Sequence, residues 1–336
     1  MKILIVGAGG FIGSHLSEEI LKNHRDWTIT AIDICEAKIL HLLNDENLRF
    51  FNIDVVKEYE AVEEYVKNCD VVLPLAAIAS PAVYVTDPLR VFELDFESNL
   101  RIVKWAAQYK KRVIFPSTCE VYGMCEDEEF REEESNCVTG PINKQRWIYS
   151  CSKQMLDRVI YAYGIRDGLH YTLFRPFNWI GSRLDDITNP NNGSSRVVTQ
   201  FLSNIFHGKD ICLVDGGNQI RSFTDIADAI GALIKIIANE NNCADQQIFN
   251  IGNPYNQMSI KELAHNIVEL AKEYDKTKAL AEKTKILDIN SSEYYGKGYQ
   301  DVSKRVPSIQ KAESLLLWKP GIGVKESLRK MLDVYC

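Results

Sequence analysis

Lys2-Ile3-Leu4-Ile5-Val6-Gly7-Ala8-Gly9-Gly10-Phe11-Ile12-Gly13 runs from an unbroken aliphatic stretch into a glycine cluster, and its reading decides the fold. Consecutive aliphatic residues without alternation describe a strand covered on both faces. The glycines after it permit a tight turn and let amides at the N-terminus of the next helix approach a diphosphate. A glycine pattern alone is weak evidence. Here a second strand-like run ends on Asp33, at the distance expected for a carboxylate that accepts from ribose hydroxyls and repels a ribose phosphate. The expected cofactor is therefore NAD rather than NADP, held by Gly7, Gly10, Phe11, Ile12, Gly13 and Asp33, with Asp54, Val55, Leu75 and Ala76 completing the set.

Working outward, strand-like and helix-like segments alternate. Strands are expected at Lys2 to Val6, Trp27 to Ile32, Arg49 to Ile53, Val71 to Leu75, Arg112 to Phe115 and Tyr171 to Phe174. Helices are expected at Phe11 to Leu21, across Pro88 to Tyr109 and from Tyr149 to about Tyr163. The fold class is α/β: a doubly wound parallel Rossmann sheet with a smaller C-terminal α/β substrate-binding lobe. Residues 1–180 are assigned to the first unit and 181–336 to the second, with a soft boundary. The second half reads as helices near Ser195 to Phe206, Asp225 to Ala238, Ile260 to Glu273 and Val324 to Val334. Short strands there are Ile211 to Val214 and Ile248 to Ile251, with turn clusters at Asn189-Pro190-Asn191-Asn192-Gly193 and Asp215-Gly216-Gly217-Asn218.

Composition narrows the class. At 336 residues, 46% hydrophobic and 25% charged, the chain is long enough for a full core, which excludes disorder and coiled coil. No stretch reaches the roughly 18 apolar residues of a membrane helix, and the opening residues are too brief for a signal-peptide core, so a cytoplasmic enzyme without a membrane partner is expected. The net charge of -7 comes largely from Glu126 to Glu134, seven acids against one arginine, which reads as a solvated loop. No basic patch suggests nucleic acid. Nine scattered cysteines and six histidines without ligand spacing point to reduced thiols and no metal.

Tyr149 and Lys153 lie at i and i+4 on one helix face. An ammonium beside a phenol, with a cationic nicotinamide nearby, favours phenolate, and such a tyrosine can take a proton from a substrate hydroxyl as hydride leaves. Thr118, at the end of the fifth strand, would hydrogen-bond the same hydroxyl.

These motifs, with Phe115-Pro116-Ser117-Thr118-Cys119-Glu120-Val121-Tyr122-Gly123, Asn143-Lys144-Gln145-Arg146-Trp147, Arg175-Pro176-Phe177-Asn178-Trp179-Ile180-Gly181 and Tyr294-Tyr295-Gly296-Lys297-Gly298-Tyr299-Gln300-Asp301, carry a resemblance over nearly the whole chain. It resembles the extended short-chain dehydrogenase/reductase (NAD-dependent epimerase/dehydratase) family, most of all the ArnA-type UDP-glucuronic acid decarboxylating dehydrogenases and next the UDP-apiose/UDP-xylose synthases. The formyltransferase half that many ArnA-type chains carry is not expected, since residue 1 already begins the nucleotide fold. The resemblance implies oxidation of the sugar at C4 with Tyr149 as base, then loss of carbon dioxide with Glu120 and Arg305 at the acid/base and donor positions. It further implies that Asn178, Arg196, Gln219, Arg221 and Tyr299 contact the UDP, that Tyr84, Thr118, Cys119 and Arg146 line the glucuronate pocket, and that the enzyme is a homodimer.

Two residues depart from the pattern. Cys119 stands where ArnA-type enzymes have serine, as in apiose synthases, but Ala79 stands where apiose synthases have a second cysteine, which disfavours ring contraction. Cys212 replaces a lysine expected near the diphosphate. The expected product is a UDP-4-ketopentose. The alternatives are a xylose or apiose synthase that re-reduces the intermediate, or a catalytically silent sugar-nucleotide or redox-sensing protein, against which an intact Thr118, Tyr149 and Lys153 argue.

Overall fold

The computed structural model describes residues 1–188 and 195–336. Its centre is a seven-stranded parallel sheet built from β1 (Lys2–Val6), β2 (Thr28–Asp33), β3 (Leu48–Asn52), β4 (Val71–Pro74), β5 (Arg112–Pro116), β6 (Tyr171–Pro176) and β7 (Gln247–Ile251). The spatial order is β7-β6-β5-β4-β1-β2-β3. Strand order therefore reverses between β1 and β4, and the carboxyl ends of these two strands open the crevice where a doubly wound sheet binds its ligand.

Pleating divides the core. Ile3 and Ile5 point into one apolar cluster, with helices Phe11–Asn23, Ile226–Ala238, Ile260–Ala271 and Val324–Tyr335 over it. Leu4 and Val6 point into the other, under helices Tyr59–Asn68, Asn99–Gln108 and Trp147–Asp167. Both faces of β1 are sealed, as its unbroken aliphatic run requires.

The doubly wound sheet and the six strands expected in the first half are present. The structure goes further at two places. The Ile248 to Ile251 segment, a short strand of the second half, crosses back as the edge strand of the main sheet, paired in parallel with β6 from Gln247↔Thr172 to Ile251↔Pro176. The segment across Pro88 to Tyr109 is not one regular helix but Pro88–Phe92, a π-helical turn at Glu93–Ser98, and Asn99–Gln108. The remaining C-terminal elements form small sheets beside the carboxyl ends of the strands. Trp179–Ile180 pairs with Thr224–Asp225, Ile286–Ile289 with Ile211–Val214, and Ile220–Ser222 with both Gln257–Ser259 and Lys304–Arg305. The Asn189 to Gly193 turn cluster lies outside the described residues, and the helix after it spans Val197–Phe206. Among the described residues no helix is long and apolar enough to cross a membrane.

Candidate active site

The glycine turn is built for close approach. Gly7 has φ +92°, and a Cβ there would stand 2.5 Å from the Ala76 amide nitrogen across the switch point. A Cβ on Gly13 would stand 2.4 Å from the Gly7 carbonyl oxygen. Asp33, at the end of β2, accepts from the Gly9 amide (2.9 Å) and the Cys35 amide (3.0 Å), which fixes its carboxylate beside the turn. Burial raises the pKa of Asp33 against these amide bonds, and each of its oxygens keeps a lone pair for a further donor.

From the turn a cleft of about 810 Å³ runs to the C-terminal elements. It is lined by Gly7, Gly10, Phe11, Ile12, Gly13 and Leu75 at one end and by Tyr84, Thr118, Cys119, Glu120, Arg146, Tyr149, Lys153, Asn178, Arg196, Gln219, Arg221, Tyr299 and Arg305 beyond. Every residue expected in catalysis or sugar-nucleotide binding thus meets in one cavity. Asp33, Asp54, Val55 and Ala76 do not line it. Val55 is buried in the core, and Asp54 accepts from the Val56 amide (3.0 Å) and pairs with Lys57 (3.2 Å). Lys38 and Asp185 line the cleft without having been singled out in the sequence, and Tyr294, Tyr295 and Asp301, quoted only as part of a motif, line it too.

Tyr149 and Lys153 project from helix Trp147–Asp167. The Tyr149 ring stacks on Tyr84 with centroids 4.8 Å apart, and its hydroxyl is hydrogen-bonded to that of Thr118. Burial, then the carboxylates of Asp95 and Glu120, raise the phenol pKa well above its ordinary value. The Lys153 ammonium lies 6.0 Å from the ring centroid and donates to the Pro116 carbonyl (2.9 Å). Burial lowers the pKa of this lysine, while Asp95 and Asp157 on either side hold it up. Among the protein's own groups, burial and the two carboxylates therefore outweigh the depression that the Tyr-Lys pairing alone suggests.

Deeper in the cleft, Glu120 sits between two buried guanidinium groups. Arg146 Nη2 reaches Glu120 Oε2 at 3.0 Å, and Arg305 Nη1 reaches Oε1 at 3.1 Å. The Glu120 amide donates to Thr118 Oγ1 (3.2 Å), so one residue orients both the phenol and the carboxylate. Burial pushes the Glu120 carboxyl up, but Arg146 and Arg305 outweigh it and leave it below the ordinary range. Burial also raises the Cys119 thiol, keeping it protonated despite Arg305 beside it. Arg146 lies over the rings of Trp147 (4.6 Å) and Tyr299 (5.7 Å). Among the described residues, its Nε and Nη1, and Nε and Nη2 of Arg305, have no hydrogen-bond partner. Arg221 donates to Asp301 Oδ1 (2.7 Å), so three guanidinium groups face two carboxylates.

Two residues expected to contact the nucleotide have prior engagements. Arg196 pairs with Asp185 (2.5 Å), and the Asn178 side chain donates to the Ser222 carbonyl (3.0 Å). Cys212 lines the same cleft near Tyr294, and burial raises its thiol pKa. The acidic loop is more than a solvated segment. Phe130 is buried and exchanges backbone bonds with Val306 (2.8 Å) and Ser308 (2.9 Å), directly after Arg305. Glu132 accepts from the Asn250 amide (2.8 Å), and Glu128 and Glu133 pair with Lys304 and Lys311.

Comparison with known proteins agrees with this architecture. The chain aligns over 99% of its length with 96% of the PbgP3 protein from Burkholderia pseudomallei, at 49% identity and a TM-score of 0.90. UDP-glucuronic acid 4-epimerase from Bacillus cereus superposes at a TM-score of 0.81 with 22% identity, over 99% of this chain and 98% of that one. UDP-glucose 4-epimerase from Thermotoga maritima also gives 0.81, at 21% identity, over 100% and 98%. At such identities these two epimerases speak for the fold alone. The NAD dependent epimerase/dehydratase family matches residues 3–252, most of the chain. The protein belongs to the NAD dependent epimerase/dehydratase family, and its glycine turn and Asp33 suit the NAD cofactor of that family.

Proposed function

We propose that this protein is an NAD-dependent oxidative decarboxylase of UDP-glucuronic acid, producing a UDP-4-ketopentose, carbon dioxide and NADH. The observation that carries the reading is the pair Arg146 and Arg305, buried beside Tyr149 with four guanidinium nitrogens unpartnered among the described residues. Spare cationic donors in a desolvated pocket suit a carboxylate and gain little from a neutral hydroxymethyl group.

Bound NAD supplies the hydride acceptor at C4. Tyr149 takes the C4 hydroxyl proton, with Thr118 holding the same oxygen. The resulting ketone lies β to the C5 carboxylate, which Arg146 and Arg305 orient. As the C5–carboxyl bond breaks, its electron pair becomes the C4–C5 enolate, and hydrogen bonds from Thr118 and Tyr149 stabilise the charge on oxygen. Glu120 handles the proton delivered to C5. Once the substrate carboxylate shares its arginines, Glu120 is less strongly held in the ionised form and becomes a better donor. The proton removed at the C4 hydroxyl balances the one consumed at C5. Met155, Tyr161 and Ile165 leave an exposed apolar edge on the Tyr149 helix, which suits a homodimer and can be checked by sedimentation.

The deciding experiment incubates the protein with UDP-glucuronate and NAD and follows carbon dioxide, NADH and the sugar nucleotide together. Equal amounts of carbon dioxide and NADH are expected. Carbon dioxide without NADH would identify a synthase that re-reduces its intermediate, and no carbon dioxide would overturn the decarboxylase reading.

A further inference from the structure

Asp95 lies in the π-helical turn Glu93–Ser98 and is completely buried. Such turns interrupt helices at a cost and are frequent at functional sites. Both carboxylate oxygens face the Ile78 amide, at 3.0 and 3.4 Å, and among the described residues no cation lies within 4.0 Å. A buried carboxylate without an ion pair is expensive and calls for an explanation. Ile78 belongs to the loop after β4 that lines the cleft beside Leu75, at the cofactor end. The titratable groups that interact by charge with Asp95 are Lys153 and Tyr149 from helix Trp147–Asp167 and Tyr84 from helix Pro81–Thr86, and Asp157 acts on the same lysine. On its own turn, Glu93 and Glu97 are exposed.

We propose that Asp95 is a buried counter-charge through which the cofactor site distinguishes oxidised from reduced NAD, favouring the cationic form and speeding release of NADH. The inference rests on Tyr149 facing the reacting carbon: Asp95 already acts by charge on Tyr149 and Lys153, and a nicotinamide that took hydride beside Tyr149 would share that field. Without Asp95, the buried Lys153 ammonium beside Tyr149 would remain to repel a cationic ring. At an effective dielectric of about 20, a fixed charge on the order of 10 Å from a cationic ring would bias the equilibrium by roughly tenfold. Asp95 acts through its field rather than by contact and is a positioning residue. Burial pushes its pKa up to about 7, against Lys153 and the Ile78 amide, so its charge develops across neutral pH.

The test is titration of the enzyme with NAD⁺ and with NADH, in the absence of sugar nucleotide, between about pH 6 and 8. In the wild type, NAD⁺ affinity should rise with pH as Asp95 ionises, NADH affinity should stay flat, and NAD⁺ binding near pH 7 should release a fraction of a proton. Asp95→Asn keeps the shape and an acceptor for Ile78, and should lower the NAD⁺/NADH affinity ratio about tenfold while removing both the pH dependence and the proton release. A ratio within twofold of wild type in Asp95→Asn overturns the proposal. So does a wild type in which both cofactors show the same pH profile and neither releases a proton, and this holds even if the variant fails to fold. Because no sugar is present, either result stands apart from whether UDP-glucuronate is decarboxylated.

Discussion

Replacing Glu120 by glutamine should tighten the binding of UDP-glucuronate while abolishing its decarboxylation. Glu120 occupies one side of the two guanidinium groups, at 3.0 Å from Arg146 and 3.1 Å from Arg305, and the unpartnered nitrogens of the same groups remain for a substrate carboxylate. Two carboxylates sharing one pair of guanidiniums stand about 6 Å apart, where unit charges at an effective dielectric of about 20 repel by about 3 kcal/mol. Screening by the arginines between them reduces this, so a gain of roughly 10–100-fold in UDP-glucuronate affinity is expected, at ~1.4 kcal/mol per factor of ten. UDP-glucose carries the same nucleotide and no carboxylate, and its affinity should stay within about threefold. The substitution also leaves two buried guanidiniums without their anion, a change that costs up to about 3–5 kcal/mol. The variant should therefore melt at a lower temperature than wild type and recover part of the difference in saturating UDP-glucuronate. Calorimetric titration with the two sugar nucleotides checks the first claim, and thermal unfolding with and without ligand checks the second. Weaker or unchanged UDP-glucuronate binding, or equal tightening of both ligands, would refute the idea that Glu120 and the substrate carboxylate compete for the same arginines.

Three further outcomes follow from the site. Tyr149→Phe removes the proton acceptor but keeps the stack on Tyr84, so NADH formation should fall by roughly 10²–10⁴ with UDP-sugar affinity little changed; near-normal turnover would assign the base elsewhere. NAD should be preferred over NADP by at least ~10-fold, because the Asp33 carboxylate fixed beside the turn repels a ribose phosphate, and equal turnover with both would remove Asp33 from that role. Cys119→Ser should keep activity within roughly tenfold, since burial keeps the thiol neutral and a hydroxyl can replace it beside Arg305; a large selective loss of one sugar product would instead point to chemistry at sulfur.

The parts of the fold that the sequence foretold are those governed by local periodicity. An aliphatic run such as Ile3 to Val6 has one stable environment, a strand sealed on both faces, and the glycine turn after it admits few conformations. Gln247–Ile251 could not be assigned to a sheet for the opposite reason. A short apolar strand has no local mark of which sheet it joins, and its pairing with β6 spans a gap of about 75 residues in sequence, closed only by tertiary packing. The π-helical turn left a trace that could have been used. Val91, Asp95, Asn99 and Ile102 follow the spacing of one helix face, and an aspartate on an apolar stripe is a local contradiction that natural sequences keep mostly where function requires it.

The same distinction explains the site. Tyr149 and Lys153 are legible because a single helix sets their spacing, whereas the union of Glu120, Arg146 and Arg305 joins three remote parts of the chain. Composition could not show that the acidic loop braces this union. Seven acids in a short segment look like solvent-facing charge, but Phe130 and Glu132 turn inward between them and fix the backbone just after Arg305. The two outward ion pairs, to Lys304 and Lys311, hold the loop's rim, and solvent screening leaves exposed pairs of this kind little stabilising weight. The inward contacts therefore dominate. Neutralising Glu128 and Glu133 together should leave decarboxylation within about twofold, whereas Phe130→Ala removes a large side chain from a packed cluster with Cys119, Val121, Tyr122 and Phe177, a class of change that costs about 3–5 kcal/mol. If the loop positions Arg305, Phe130→Ala should also weaken UDP-glucuronate relative to UDP-glucose at temperatures where the variant remains folded. Equal weakening of the two ligands would show that the loop stabilises the fold without aiming the guanidinium.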